Sequence, residues 1–225
     1  MVSLAGLGIA SGGFGISLAN AQDSIKKHKG AKMKIYLLNG AKEFGNSKGR
    51  LNTTLHELAK ETLSKLGHET KEVIIDKGYD VQEEVQNLKW ADSIIHQFPA
   101  WWMCEPWIVK KYIDEVYLAS HGVLFNDDGR TRKDPSKKYG SGGLAQNKSY
   151  MLCSTWNAPL EAFSDKTQFL GIGIDGVFAH LHKAHEFCGM QKLPSFMCND
   201  VVKNPQVERY LAEYEAHLKK MFGNA

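Results

Sequence analysis

Lys34-Ile35-Tyr36-Leu37-Leu38-Asn39-Gly40 is the stretch that decides the fold. An unbroken apolar run of this length reads as a strand covered on both faces, and Gly40 ends it. Residues 40–52 (GAKEFGNSKGRLN) then lead into a segment with Leu51, Leu55, Leu58, Ala59, Thr62 and Leu66 at helical spacing, which Gly67 stops. A buried strand followed by a one-faced helix is the repeating unit of a parallel sheet with right-handed crossovers.

The alternation continues outward from this unit. Strands are predicted at 72–75 (EVII), 93–96 (SIIH, closed by Pro99), 150–153 (YMLC) and 195–198. Helices are predicted over 81–90, from the first-turn proline Pro106 through Tyr117, and over 205–222, where Val207, Tyr210, Leu211, Tyr214, Leu218 and Met221 form one stripe. The expectation is a single α/β domain over 33–225, a flavodoxin-like three-layer sandwich around a five-stranded parallel sheet of order 2-1-3-4-5. In that topology ligands sit beyond the strand C-termini, at the switch point between strands one and three.

With 225 residues, 43% hydrophobic and 24% charged, the chain is neither disordered, collagen-like nor a disulfide mini-protein. The net charge of +3 is unevenly placed: Lys26, Lys27, Lys29 and Lys32 face only Asp23 in the first 32 residues, leaving 24 basic and 24 acidic residues after them. The body thus offers no electrostatic case for nucleic acid. Cys104, Cys153, Cys188 and Cys198 make no CxxC motif and read as core or free thiols. Residues 1–22 are uncharged but carry Gly6, Gly8, Gly12, Gly13 and Gly15, too weakly apolar for an integral membrane segment. They end in Ala19-Asn20-Ala21-Gln22, a signal-peptidase-type junction. Residues 1–32 are therefore expected to be a leader and linker outside the fold. A genuine leader implies export to the periplasm, by a twin-arginine route suited to folded cargo; a start at Met33 implies a cytoplasmic protein.

Three post-strand loops are expected to converge on the switch-point crevice. The first places Ser47, Lys48 and several backbone amides at a helix start, an arrangement suited to a phosphate or to an ordinary polar turn; it has neither G-x-G-x-x-G nor a P-loop. The second carries Pro99, Ala100, Trp101 and Trp102, and the third Thr155, Trp156, Asn157 and Ala158. Aromatic rings and amides at that edge fit a planar heteroaromatic ligand such as a flavin. The near-Walker run from Gly142 to Lys148 and Ser149 has Asn147 for the second glycine and precedes a strand, so it is set aside. His180, His182 and His185 have no cysteine or acidic partner at ligand spacing, so no metal is expected there. Arg130, Arg132, Lys133, Lys137 and Lys138 are offset by Asp127, Asp128 and Asp134, and read as a solvated loop or a grip for the 2′-phosphate of NADPH.

Taken in order, NGAK with SKGRLN, then WWMCEPWIVKKYIDEV, DGRTRKDPSKKYGSGGL, TWNAPLEAF and GVFAHLHKAHEFCGM resemble the NAD(P)H:quinone oxidoreductase family called modulator of drug activity B. The resemblance covers essentially all of 33–225 and none of 1–32. It implies a homodimer that binds FAD and reduces quinones by two electrons from NADPH, protecting against semiquinones and oxidative stress. It also implies that Ser47, Lys48, Gly49, Arg50, Leu51, Asn52, Thr53 and Thr54 hold the adenine-side phosphates. Pro99, Ala100, Trp101, Trp102, Thr155, Trp156, Asn157 and Ala158 would embrace the isoalloxazine, with Tyr139 touching the cofactor from the long loop over 121–148, a Gly-, Lys-, Arg- and Asp-rich segment of a length that is usually functional or disordered. Ala100 stands where the family has glycine, a change expected to leave the backbone amide free. Because the cofactor carries the chemistry, no acid–base triad is required. A single crevice for both substrates implies ping-pong hydride transfer through flavin N5. The alternative is a flavin-binding electron carrier or redox-responsive regulator without quinone turnover.

Overall fold

The computed structural model describes residues 31–223. The leader and its junction lie outside the described residues. Six strands form one wholly parallel sheet: β1 (Lys34–Asn39), β2 (Glu69–Ile74), β3 (Ser93–Pro99), β4 (Ser149–Thr155), β5 (Gln191–Lys192) and β6 (Phe196–Cys198). The order runs β2-β1-β3-β4, with β5 and β6 both paired to the outer edge of β4. The fifth strand of the expected 2-1-3-4-5 order is thus one edge strand in two pieces, broken at Pro194, which has no N–H to give the ladder.

Helices cover both faces. Helix α1 (Arg50–Lys65) and the terminal helix lie on one side, where Leu55, Ala59 and Leu63 meet Tyr210, Tyr214 and Leu218 over Ile35, Leu37, Ile95 and Met151. On the other side α2 (Val81–Trp90), α3 (Trp107–Tyr112) and α5 (Ala179–Phe187), which follows the short α4 (Gly173–Val177), pack on Tyr36, Leu38, Ile94, Tyr150 and Leu152; the terminal helix is α6 (Val207–Phe222). Each fully buried side chain of this size contributes about 1.5–3 kcal/mol. Strands β1, β3 and β4 are buried on both faces, which is why they read as unbroken apolar runs.

Four details depart from the sequence expectation or add to it. Strand β2 starts at Glu69, three residues earlier, because its first half is a polar edge with no apolar signal. The helix after Pro106 turns from α into a π-helical stretch at Ile113–Tyr117. The histidine-bearing segment is helix α5, which lacks an obvious cap and was legible only as a run of histidines. The long segment over 121–148 is irregular but tied down by buried Leu124 and Ala145. Among the described residues, no helix is long and apolar enough to cross a membrane.

Candidate functional site

The crevice forms where β1, β3, β4 and β6 end. Gly40 leaves β1 where no larger residue fits, since a Cβ there would stand 2.2 Å from Val109 Cγ2. Its amide donates to the Gln97 carbonyl at 2.8 Å, fixing the exit of the loop. Phe44 and Ser47 exchange backbone hydrogen bonds at 3.0 and 2.9 Å, and Gly49, at φ 66, turns the chain into α1. No side chain caps α1. Its first amides, which have no intrahelical partner, therefore form the positive end of a 16-residue helix with Lys48 and exposed Arg50 beside it, although Lys48 is also paired with Glu43.

The floor is a polar chain across three elements. Gln97 Nε2 donates to Asn52 Oδ1 at 2.8 Å, and Asn52 Nδ2 donates to Thr155 Oγ1 at 2.9 Å. All three residues are buried, and Gln97 Oε1 has no hydrogen-bond partner among the described residues.

The lip is aromatic. Trp101 and Cys104 close a tight turn with reciprocal backbone bonds of 2.8 and 3.1 Å. Trp102 and Met103 within it are left-handed, at φ 48 and 69, a conformation that costs non-glycine residues about 1–3 kcal/mol each. The turn holds Trp102 91% exposed. Phe44 lies against Trp101 at 4.7 Å and against Trp107 at 5.2 Å, so the first loop and the lip share one aromatic cluster. The amides of Trp102 and Met103 make no hydrogen bond among the described residues.

These walls enclose about 610 Å³. Of the residues expected there, Ser47, Lys48, Gly49, Arg50, Leu51, Asn52, Pro99, Ala100, Trp101, Trp102, Thr155 and Asn157 line the crevice. Thr53 and Thr54 do not; their hydroxyls bond back to the carbonyls of Gly49 and Arg50 within α1. The ring of Trp156 is buried against Phe163, Phe169 and Phe178, with Nε1 donating to Ser154 Oγ at 3.0 Å, and Ala158 packs on the same core. Tyr139 lies elsewhere, beside Phe187 at 5.4 Å and beneath Arg130. The expected free amide of Ala100 is corrected: it donates to the Thr155 carbonyl at 2.9 Å, because β3 and β4 stay in register to their ends.

Phe44, Gly45 and Asn46 of the same first loop also line the crevice, whereas Val201 and Val202 line it from a segment that sequence reasoning missed. The two valines follow β6, so the rule that ligands collect beyond strand C-termini points to them as well. There Asp200, at φ 54, reverses the chain, while its amide and that of Val201 bond to the carbonyls of Ala158 and Trp156.

The near-Walker lysine has a structural task. Lys148 Nζ donates to the carbonyls of Lys89 and Ala91 at the end of α2, and burial lowers its pKa. Of the three histidines, His185 is wholly buried and bonds to His96 Nε2 at 2.9 Å and to the Leu181 carbonyl at 2.7 Å. Burial pushes His185 down to about 4 and holds His96 well below its ordinary value. His182 bridges Tyr150 and Asp175. In the long loop, Arg130 is paired with Asp128 at 2.5 Å.

Residues 33–221 match the model of a protein family described by its flavodoxin-like fold. The NADPH:quinone oxidoreductase MdaB of Haemophilus influenzae is 56% identical over 192 residues, which is 85% of this chain and the whole of that protein. The chain belongs to the modulator of drug activity B family. Solved structures share the fold at lower identity. A Klebsiella pneumoniae protein described as a candidate quinone reductase superposes with a TM-score of 0.64 at 22% identity, covering 83% of this chain and 82% of its own. General stress protein 14 of Treponema denticola, solved in complex with FMN, gives 0.57 at 18% identity, covering 85% and 99%. The family's quinone reductase name thus attaches to a chain whose crevice is built from the switch-point loops described above.

Proposed function

We propose that this chain is an FAD-dependent NADPH:quinone oxidoreductase working through the switch-point crevice. The observation that carries the reading is the pairing, in one crevice, of an uncapped 16-residue helix N-terminus with an exposed aromatic lip. The first suits a phosphate and the second a planar ring, as a flavin dinucleotide requires. The residues present fit such a cofactor: the amides of Trp102 and Met103 are free for ring polar atoms, and Gln97 Oε1 is an unpaired buried acceptor near the floor. When bound, the flavin supplies two-electron hydride chemistry at N5, accepting from NADPH and donating to a quinone.

The protein's own part is to bind and orient. Ser47, Lys48 and the first amides of α1 hold the phosphates. The Trp101–Cys104 turn and Asn157 flank the ring, and the Gln97–Asn52–Thr155 chain keeps the floor rigid. With one lip, NADPH must leave before the quinone enters, so initial rates at varied concentrations should give the parallel lines of a ping-pong mechanism. A homodimer is part of the proposal, supported by the exposed apolar residues Trp102, Met103, Trp107, Leu118 and Tyr139. Tyr139 belongs to the proposed cofactor site only through such an assembly, since within one chain it lies off the crevice. Two-electron transfer that bypasses semiquinones supports a protective role under oxidative stress.

The test is an absorption spectrum of the purified protein with mass identification of the released flavin, followed by NADPH oxidation with and without added quinone. A yellow protein releasing FAD and turning over only with quinone supports the proposal. Release of FMN overturns the cofactor assignment. Slow one-electron exchange without quinone turnover replaces the enzyme with an electron carrier.

A further inference from the structure

Sequence spacing leaves the histidines of α5 without cysteine or acidic partners, but the fold supplies both. Cys104 closes the lip turn, Glu105 follows it, and His180 stands in the first turn of α5, 75 residues away in sequence from Glu105. One ligand atom from each lies within 4.8 Å of the other two. The Glu105 side chain is only 4% exposed, and His180 Nε2, at 2.7 Å, is its sole hydrogen-bond partner among the described residues. A carboxylate accepts up to about four hydrogen bonds, so most of the capacity of this buried anion is unused. Cys104 and His180 are both open to solvent, which gives an ion a way in.

We propose that Cys104 Sγ, a Glu105 carboxylate oxygen and His180 Nε2 bind a zinc-class divalent ion. Sulfur, nitrogen and oxygen donors together suit a borderline-soft cation and exclude magnesium or calcium, which take oxygen alone. Three protein ligands leave the fourth tetrahedral position to water. Bonds of about 2.0–2.3 Å place ligand atoms roughly 3.3–3.8 Å apart. The His180–Glu105 pair, at 2.7 Å, must therefore open slightly and the wider pairs, all within 4.8 Å, close by at most roughly 1 Å, within the rotamer freedom of two exposed side chains. As the ion binds, Cys104 loses its thiol proton to solvent, and His180 keeps one proton, on Nδ1 in place of Nε2. The bound ion ties the turn that carries Trp102 to helix α5, joining the crevice lip to the helical layer on that face of the sheet.

The proposal does not depend on the flavin reading, because binding is measured with or without cofactor. Full-length protein is treated with chelator, dialysed, and titrated with zinc against a chromophoric competitor. One equivalent per chain is expected, with Cys104→Ser and His180→Gln each weakening binding at least tenfold and His121→Gln, at an exposed histidine away from the cluster, leaving it unchanged. Cobalt in place of zinc should give the near-ultraviolet charge-transfer absorption of a thiolate ligand in wild type and none in Cys104→Ser. Circular dichroism confirms that each variant is folded. Substoichiometric binding, zinc affinity unchanged by Cys104→Ser, or a cobalt spectrum without the thiolate band overturns the assignment.

Discussion

Replacing Trp102 with alanine separates the crevice's ligand-binding role from its structural one. The ring is 91% exposed, so removing it takes almost nothing from the core, and changes at such positions usually stay within about 0.5 kcal/mol. Alanine at φ 48 is no more strained than tryptophan, so the turn closed by Trp101 and Cys104 survives. If the ring faces a flavin, its loss removes an aromatic contact of about 1–3 kcal/mol. That is roughly a 5- to 150-fold weaker dissociation constant, with the melting temperature of the flavin-free protein within about 2 °C of wild type. Flavin quenching titrations on both proteins, beside thermal melts without cofactor, read the two quantities independently. Wild-type affinity in the variant would refute the placement of the flavin against this lip. A large loss of stability without cofactor would show that the exposed ring has a structural partner outside the described residues.

Three further outcomes follow from named contacts. Asn52→Ala leaves Gln97 Nε2 and Thr155 Oγ1 without their buried partner, at about 2–4 kcal/mol in total, so the melting temperature should fall by roughly 5–15 °C; an unchanged melt would mean that the floor relaxes freely. His96 and His185 are held neutral in the fold, so between their unfolded pKa near 6.5 and their lower folded values the unfolded chain binds the extra protons. Their stabilisation is complete above about pH 6.5 and falls as the pH drops below it, by about 2 kcal/mol at pH 5 for His185 and in the same direction for His96; urea titrations giving equal stability at pH 7 and pH 5 would contradict it. Removing residues 1–32 should leave the melting temperature and bound flavin unchanged, because Met33 is the first buried residue of the described chain; loss of either would assign the leader a part in the fold.

Much of the fold was legible because β1, β3 and β4 are buried on both faces and announce themselves as apolar runs. Strand β2 was misplaced for the opposite reason, since Glu69, Lys71 and Glu72 stand on an edge where water decides the residue type. The crevice was legible wherever a site residue directly follows a strand. Trp156 shows the limit of that rule: sequence places it at the right edge but cannot say that its ring turns inward to Phe163 and Phe178. The meeting of Cys104 and Glu105 with His180 was beyond reach for another reason. No local spacing encodes a contact across 75 residues, which exists only once α3 and α5 share one face of the sheet.

The break at Pro194 bears on how copies of this chain can associate. An uninterrupted edge strand is a template on which a second molecule can add its own strand. Here the edge offers only Gln191–Lys192 and Phe196–Cys198, separated by a residue without an N–H, and the Pro194 carbonyl is already bonded to His217 Nε2 at 3.0 Å. At the opposite edge, Glu72 of β2 is held by Lys60 and His56, and Lys71 lies over the ring of Trp90. The β5–β6 margin is thus closed to continuation of the hydrogen-bond ladder, while β2 pairs only with β1 and guards its outer edge with charged side chains. A second molecule meeting this one along the β5–β6 margin must therefore do so through side chains, since no strand can be added there.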